Sequence, residues 1–167
     1  MPRKKPRLCF TLLEILIVIV IIAIAAMIAV PVMSSAGNMQ VRSAVNMIAA
    51  DLEYAKSMAI TRQKTYSVVF NAASETYQIE DSAGVIEHPV KKGFNYVINF
   101  TSDSRLNKVD IVSVDFNEMG TIKFDYLGSP FVGAGAPLNS GAVVLRSGAT
   151  TITISVEPVT GFISITD

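Results

Sequence analysis

One continuous apolar segment near the N-terminus limits what this chain can fold into. Between Phe10 and Met33, a span of 24 residues, the only clearly polar side chains are Thr11 and Glu14, and no glycine or proline precedes Pro31. A helix of that length rises about 36 Å, which exceeds the roughly 30 Å of a bilayer's hydrocarbon core. The sequence therefore predicts a transmembrane helix over residues 10–33, in which the charge of Glu14 needs its own explanation.

The charges around this segment predict its orientation. Residues 1–9 carry four basic side chains and no acidic one. Basic residues favour the cytoplasmic side of a membrane, so we expect a cytoplasmic N-terminus and an external remainder. Without residues 1–9 the chain has 10 basic and 14 acidic side chains, hence a net charge of −4. That balance disfavours nucleic acid as a partner, because phosphate binding needs cationic side chains.

Other interpretations of the N-terminus are open on the same residues. A cleaved secretory signal has an apolar core of about 7–15 residues, shorter than this one, although the small residues of AAMIAVP offer a cleavage site. A lipoprotein signal would place its apolar core before Cys9, and here the core follows it. A plain single-pass anchor leaves Glu14 and Pro31 unexplained, unless Glu14 reaches back to the interface.

The segment CFTLLEILIVIVIIAIAAMIAVP resembles the N-terminal signal of type IV pilins and type II secretion pseudopilins. The resemblance implies that a prepilin peptidase cleaves between Cys9 and Phe10 and that the new N-terminal Phe10 is N-methylated. It also implies a helix kink at Pro31 and an assembly role for Glu14, the fifth residue from Phe10. In a filament the amine of one chain would meet Glu14 of its neighbour, and their attraction would offset part of the cost of desolvation. Family members have glycine, occasionally alanine, where this chain has Cys9.

The helical pattern continues after Pro31 in a second, amphipathic section over residues 34–63. Apolar residues recur at spacings of four and three from Val41 to Ala59, and we assign the intervening polar residues, Asp51 included, to the opposite face. Glu53 and Lys56 are spaced to form an ion pair on that face.

From residue 64 onward the apolar period changes to two. Eight segments are short, rich in β-branched and aromatic residues, and bounded by turn signals: TYSVVF, TYQIED, YVINFT, DIVSVDF, TIKFDY, AVVLRS, TTITISV and FISIT. The predicted fold class is α+β, with a long N-terminal helix packed on an antiparallel β domain of about eight short strands at residues 64–167. Residues 127–141 hold four glycines and two prolines and are predicted as a long surface loop, in which Pro130 and Phe131 are candidate partner contacts.

The order of motifs in the outer domain resembles the GspH/FimT family of minor pseudopilins. The matching segments are ADLEYAKSMAITRQKTYSVVF, IKFDYLGSP, AVVLRSGATTITISV and PVTGFISI. The resemblance implies a structural subunit of a type II secretion or type IV pilus pseudopilus, held in a bacterial inner membrane with its C-terminal domain in the periplasm. Its implied partners are other pseudopilins and the prepilin peptidase.

DNA uptake is the alternative function, because FimT-like members of transformation pili bind DNA through arginines in a closing Gly-Arg-x-Arg segment. In this chain that segment reads Gly161, Phe162, Ile163 and Ser164, without either arginine. DNA is therefore not an expected partner.

No pattern in the sequence predicts an enzyme, a metal site or a cofactor. His88 is the only histidine, and we expect it to be a solvated surface residue rather than a ligand. Every serine and threonine would have only that histidine as a base. The acidic residues do not repeat a calcium-loop spacing.

Overall fold

The computed structural model describes residues 11–167, apart from the side chains of residues 28–36. The chain divides into two compact units, one ending at Ala36 and one covering Gly37–Asp167. A single helix, α1 (Leu12–Arg62), provides the helical part of both. Thr11 caps its start, since the Thr11 Oγ1 accepts a hydrogen bond from the backbone N–H of Glu14 at 3.2 Å.

The rear section of α1 buries the predicted apolar stripe. The side chains at spacings of four and three are all almost completely buried: Val41, Val45, Ile48, Leu52, Ala55 and Ala59. The Glu53–Lys56 pair also forms, with 4.0 Å between Oε2 and Nζ. Most of the helical stability here comes from packing this stripe on the β domain rather than from helix propensity.

Eleven strands follow α1 in the described part of the chain. They are β1 (Tyr66–Asn71), β2 (Thr76–Asp81), β3 (Gly84–Val85), β4 (Val97–Asn99), β5 (Asp110–Phe116), β6 (Thr121–Phe124), β7 (Pro130–Val132), β8 (Ala136–Pro137), β9 (Gly141–Ser147), β10 (Thr150–Val156) and β11 (Ile163–Thr166). Each of the eight predicted segments contains a strand, and the predicted α+β fold class is confirmed. The three strands that the sequence did not predict, β3, β7 and β8, have two or three residues each.

The strands form two antiparallel sheets. The first has the order β3-β2-β1-β6-β7-β8, and β4 also pairs with β2. The second has the order β11-β10-β9-β5, with a register shift in β5 between Ile111 and Ser113. Most pairs of neighbouring strands are consecutive in the chain and form hairpins, as expected for short connections.

Residues 127–141 are not the long surface loop that the sequence predicted. β7 pairs with β6, with Phe131 opposite Lys123, and β8 then pairs with β7. Pro130, Val132 and Leu138 are buried. The glycines allow this because Gly128 and Gly133 adopt positive φ angles of 83° and 57° at the turns that bracket β7.

Buried aromatic rings from the sheets fill the core. The rings of Phe70 and Tyr77 are 5.4 Å apart, and Tyr77 meets Phe100 edge-on at 6.1 Å. Phe116 and Phe124 are also completely buried. Burying one such side chain stabilises the fold by about 1.5–3 kcal/mol relative to leaving it exposed.

Glu75 connects the two sheets at the end of the β1–β2 hairpin. Its Oε2 accepts a hydrogen bond from the Ile111 N–H at 2.6 Å, and its carbonyl oxygen accepts one from the Phe100 N–H at 2.9 Å. Glu75 has a φ of 54°, the left-handed conformation, which turns the chain so that both bonds form. The Glu75 carboxylate thus accepts a hydrogen bond from a backbone N–H of β5, an edge strand of the second sheet.

Candidate functional site

Most of the predicted assembly residues lie at or beyond the limit of the described structure. Cys9 and Phe10, the predicted cleavage and methylation positions, lie outside the described residues, as does the side chain of Pro31. Glu14 is described and lies exposed in the first turn of α1. Among the residues that the structure describes, no helix is both long enough and apolar enough to cross a membrane. The span predicted for residues 10–33, which includes these undescribed positions, stays a prediction.

Pro130 and Phe131, the predicted partner contacts, lie side by side on β7. Pro130 is buried, and Phe131 is half-buried. Both line an open groove of about 430 Å³, which is completed by Asp125, Ser129, Gly135, Pro137 and Val159. Phe131 is therefore the more accessible of the two to a partner.

Val159, which also lines this groove, has a strained backbone. Its φ is 70° although valine is β-branched, and its side chain is 78% exposed. The Thr160 N–H donates to the Pro158 carbonyl at 2.8 Å, which closes a three-residue γ-turn of the rare, strained kind. Such strain costs about 1–3 kcal/mol and persists only where surrounding contacts enforce it.

The contacts that enforce this turn come from α1 and from the β6–β7 turn. Lys56 Nζ donates to the Gly161 carbonyl at 3.0 Å. A Cβ at Gly161 would lie 3.1 Å from the Gly128 carbonyl oxygen, so the two turns touch through glycines. Three large apolar side chains on these turns remain exposed: Tyr126, Leu127 and Phe162. Together with Phe131 and Val159 they make up what we call the two-turn surface.

A buried polar cluster joins α1 to the first sheet. Asp51 Oδ2 accepts a hydrogen bond from the Tyr77 hydroxyl at 2.5 Å, and Asp51 Oδ1 accepts one from the Tyr96 hydroxyl at 2.6 Å. Burial raises the pKa of Asp51, and the two hydrogen bonds oppose that rise only in part. Burial and the neighbouring carboxylate also raise the pKa of both tyrosines, which remain protonated donors.

Two predictions from the sequence were wrong at this cluster. Asp51 was assigned to the exposed face of α1, yet it is only 8% exposed. Asp51 lies three residues after Ile48 and four before Ala55, which places it beside the apolar stripe. The buried face of α1 is therefore wider than the stripe that the spacing from Val41 to Ala59 predicted. His88 is half-buried rather than solvated, because its ring packs on Tyr96 with centroids 4.5 Å apart.

Within residues 11–167, so far as they are described, no three His, Cys, Asp or Glu side chains lie close enough to hold a metal ion. At the closing segment Phe162 directly precedes β11 and Ser164 lies on it.

Comparison with known proteins identifies the fold. Neither a protein-family model nor the sequence of a curated protein matches the chain. The minor pilin FimU of Pseudomonas aeruginosa aligns with a TM-score of 0.51 at 13% identity, over 76% of this chain and 88% of FimU. The minor pseudopilin EpsH, from the type 2 secretion system of Vibrio cholerae, aligns with a TM-score of 0.52 at 6% identity, over 76% of this chain and 96% of EpsH. The chain therefore has the pilin-like fold that these two proteins share.

Proposed function

We propose that this protein is a minor pseudopilin, a structural subunit of a type II secretion pseudopilus or of a type IV pilus. The observation that carries the proposal is the combination of a pilin-like β domain on the rear of α1 with the apolar run that forms the front of the same helix. In this arrangement the front section joins the helical centre of a filament, and the β domain faces outward. The protein performs no catalysis and needs no cofactor.

The front section acts in two stages under this proposal. The uncleaved chain is held in the inner membrane by residues 10–33, with the β domain in the periplasm. Cleavage between Cys9 and Phe10 by a prepilin peptidase then produces the amine that pairs with Glu14 of a neighbour. Two buried charges that are costly alone become tolerable as a pair, so Glu14 sets the register between subunits.

The two-turn surface provides a contact with neighbouring subunits outside the membrane. Phe131 and Val159 both line the groove, and the exposed aromatic and aliphatic side chains around it are the kind that interface centres favour. The strain at Val159 supports this assignment, since a turn that costs free energy and presents an apolar side chain to solvent is more useful in a contact than in a free surface.

The experiment that tests the proposed function follows processing and assembly in the host. Mass spectrometry of the mature protein should find an N-methylated Phe10. Glu14→Ala should remain in the membrane fraction but disappear from sheared filaments, because the pairing partner of the amine is lost. Glu53→Ala, which removes an exposed carboxylate from the rear section of α1, is the matched control and should enter filaments normally. An intact Met1, cleavage after the AAMIA segment or normal incorporation of Glu14→Ala would contradict the proposal.

A further inference from the structure

The connection between β3 and β4 carries an exposed tip that is both apolar and basic. Val90 is 84% exposed and Phe94 is 68% exposed. Lys91 and Lys92 lie between them and are exposed as well. Neither lysine forms an ion pair with another described residue. We call residues 89–94 the β3–β4 tip.

Hydrogen bonds at its base hold the tip in this conformation. The His88 N–H donates to the Phe94 carbonyl at 2.8 Å, and the Gly93 N–H donates to Glu87 Oε1 at 2.6 Å. His88 Nδ1 accepts from the N–H groups of Val90 and Lys91 at 3.1 and 3.2 Å. A loop that is held by these hydrogen bonds therefore exposes the apolar side chains to solvent.

The base of the tip is in turn attached to α1. The His88 ring packs on Tyr96, and the Tyr96 hydroxyl binds Asp51 in the middle of the rear helical section. The tip thus has a fixed position on the β domain.

The tip lies toward the end of the β domain at which α1 begins to pack. Lys91 lines a cavity of about 310 Å³ together with Ser104. The Ser104 carbonyl accepts a hydrogen bond from Gln40 Nε2 at 3.4 Å, and Gln40 Oε1 accepts one from the N–H of Lys108, another exposed cation. Gln40 follows Met33, the last residue of the apolar run, by seven residues. Even a fully extended chain of that length spans only about 25 Å, so an anchored run keeps this end of the domain close to the bilayer.

We propose that the β3–β4 tip docks on an anionic bilayer surface, with Val90 and Phe94 in the interfacial region and Lys91 and Lys92 on lipid phosphates. This inference rests on the proposed function in one respect, the membrane anchoring of residues 10–33. Charge complementarity identifies the occupant, because adjacent lysines next to exposed apolar side chains match a surface that is negatively charged outside and apolar beneath. Docking orients the β domain before the subunit is extracted into a filament.

A single fluorophore tests this inference in the full chain. The sequence contains no tryptophan, so Phe94→Trp introduces one reporter at the tip. The variant is reconstituted into preformed vesicles of phosphatidylcholine alone or of phosphatidylcholine with about 30% phosphatidylglycerol, which gives the vesicles an anionic surface. We expect a blue-shifted emission and at least about a twofold loss of acrylamide quenching in the anionic vesicles, both reversed by high salt.

Matched variants separate docking from simple proximity. Phe162→Trp places the same reporter at an exposed phenylalanine next to Gly161. The Gly161 carbonyl binds Lys56, which lies on α1 sixteen residues beyond Gln40. That reporter should remain accessible to acrylamide in both kinds of vesicle. Adding Lys91→Glu and Lys92→Glu to Phe94→Trp should abolish the shift in anionic vesicles without changing the thermal midpoint, since both side chains are exposed.

Flotation of the same samples distinguishes the two proposals. Flotation in both lipids with an accessible reporter at position 94 would overturn tip docking and leave the anchor intact. Flotation and shielding in anionic vesicles alone would support binding of the tip to anionic lipid but contradict the anchor, and with it the premise that the anchor holds the tip near the bilayer. No flotation in either lipid would overturn both proposals. Shielding that appears only when another pilus subunit is added would overturn membrane docking and identify an acidic protein surface as the partner of the tip.

Discussion

The hydroxyl of Tyr77 donates a hydrogen bond to the buried carboxylate of Asp51 across 2.5 Å, which connects β2 directly to the middle of α1. Tyr96 donates to the other oxygen of the same carboxylate. Each carboxylate oxygen thus has a donor, and no buried side-chain polar atom in the described structure lacks a partner. The cluster holds the first sheet on the helix at a defined register, because a shifted helix would leave the carboxylate without its donors.

Tyr77→Phe should lower the free energy of unfolding by about 1–3 kcal/mol, because it leaves one oxygen of a buried carboxylate without a hydrogen bond. Urea unfolding followed by circular dichroism measures the change. Tyr126→Phe removes a hydroxyl from a tyrosine that is exposed on the two-turn surface, and it should change stability by less than about 0.5 kcal/mol. Equal effects of the two substitutions would contradict the importance of the Tyr77–Asp51 bond.

The stability of the protein should depend on pH through Asp51. Burial raises the folded-state pKa above the value of 3.8 that the group has when unfolded, so the folded state binds the proton more tightly. The stabilisation from this proton is fully present below about pH 3.8 and is lost as the pH rises through the folded-state pKa. The free energy of unfolding of the wild type, minus that of Asp51→Asn, should therefore fall as the pH increases from about 3.8. A difference that stays constant or rises over this range would contradict the raised pKa.

Glu75→Ala should destabilise the junction of the two sheets more than Glu75→Gln does. The alanine variant leaves the Ile111 N–H without its acceptor, at a cost of about 1–3 kcal/mol, whereas a glutamine retains one side-chain carbonyl oxygen. Amide hydrogen exchange at Ile111 should accelerate in Glu75→Ala beyond the change explained by global stability. Equal protection of this amide in both variants would show that Glu75 does not cap β5.

Val159→Gly should separate stability from assembly. Glycine tolerates the positive φ of this position, and release of about 1–3 kcal/mol of strain outweighs the 0.5–1 kcal/mol that its greater flexibility costs, so the free energy of unfolding should rise by about 1 kcal/mol. Loss of the exposed side chain should nevertheless reduce incorporation into filaments.

Val90→Gly provides the control for that prediction, because Val90 is similarly exposed but is not among the residues with positive φ. It should not gain stability. If Val159→Gly lowered the unfolding midpoint, or if it assembled as well as the wild type, the strain at Val159 would have no part in a contact.

Much of this fold could be predicted from local patterns, and the exceptions share a cause. The stripe from Val41 to Ala59 and the eight strand segments have periodicities that a short stretch of sequence reveals. β7 could not be predicted because it has three residues and exists only through its pairing with β6. Asp51 was assigned to solvent because its charge suggested exposure, and the donors that make its burial tolerable come from Tyr77 and Tyr96, 26 and 45 residues further along the chain.

The candidate contacts show the same division. Phe131 was predicted from its place in a glycine-rich segment, but Val159, which lines the same groove, was not, since a positive φ at a valine has no signature in the sequence. The sequence by itself determined the helix, eight of the strands and the apolar run, because each depends on side chains within a few residues of one another. The tertiary structure decided the pairing of the strands, the buried carboxylate and the strained turn, because each depends on contacts between residues far apart in the chain.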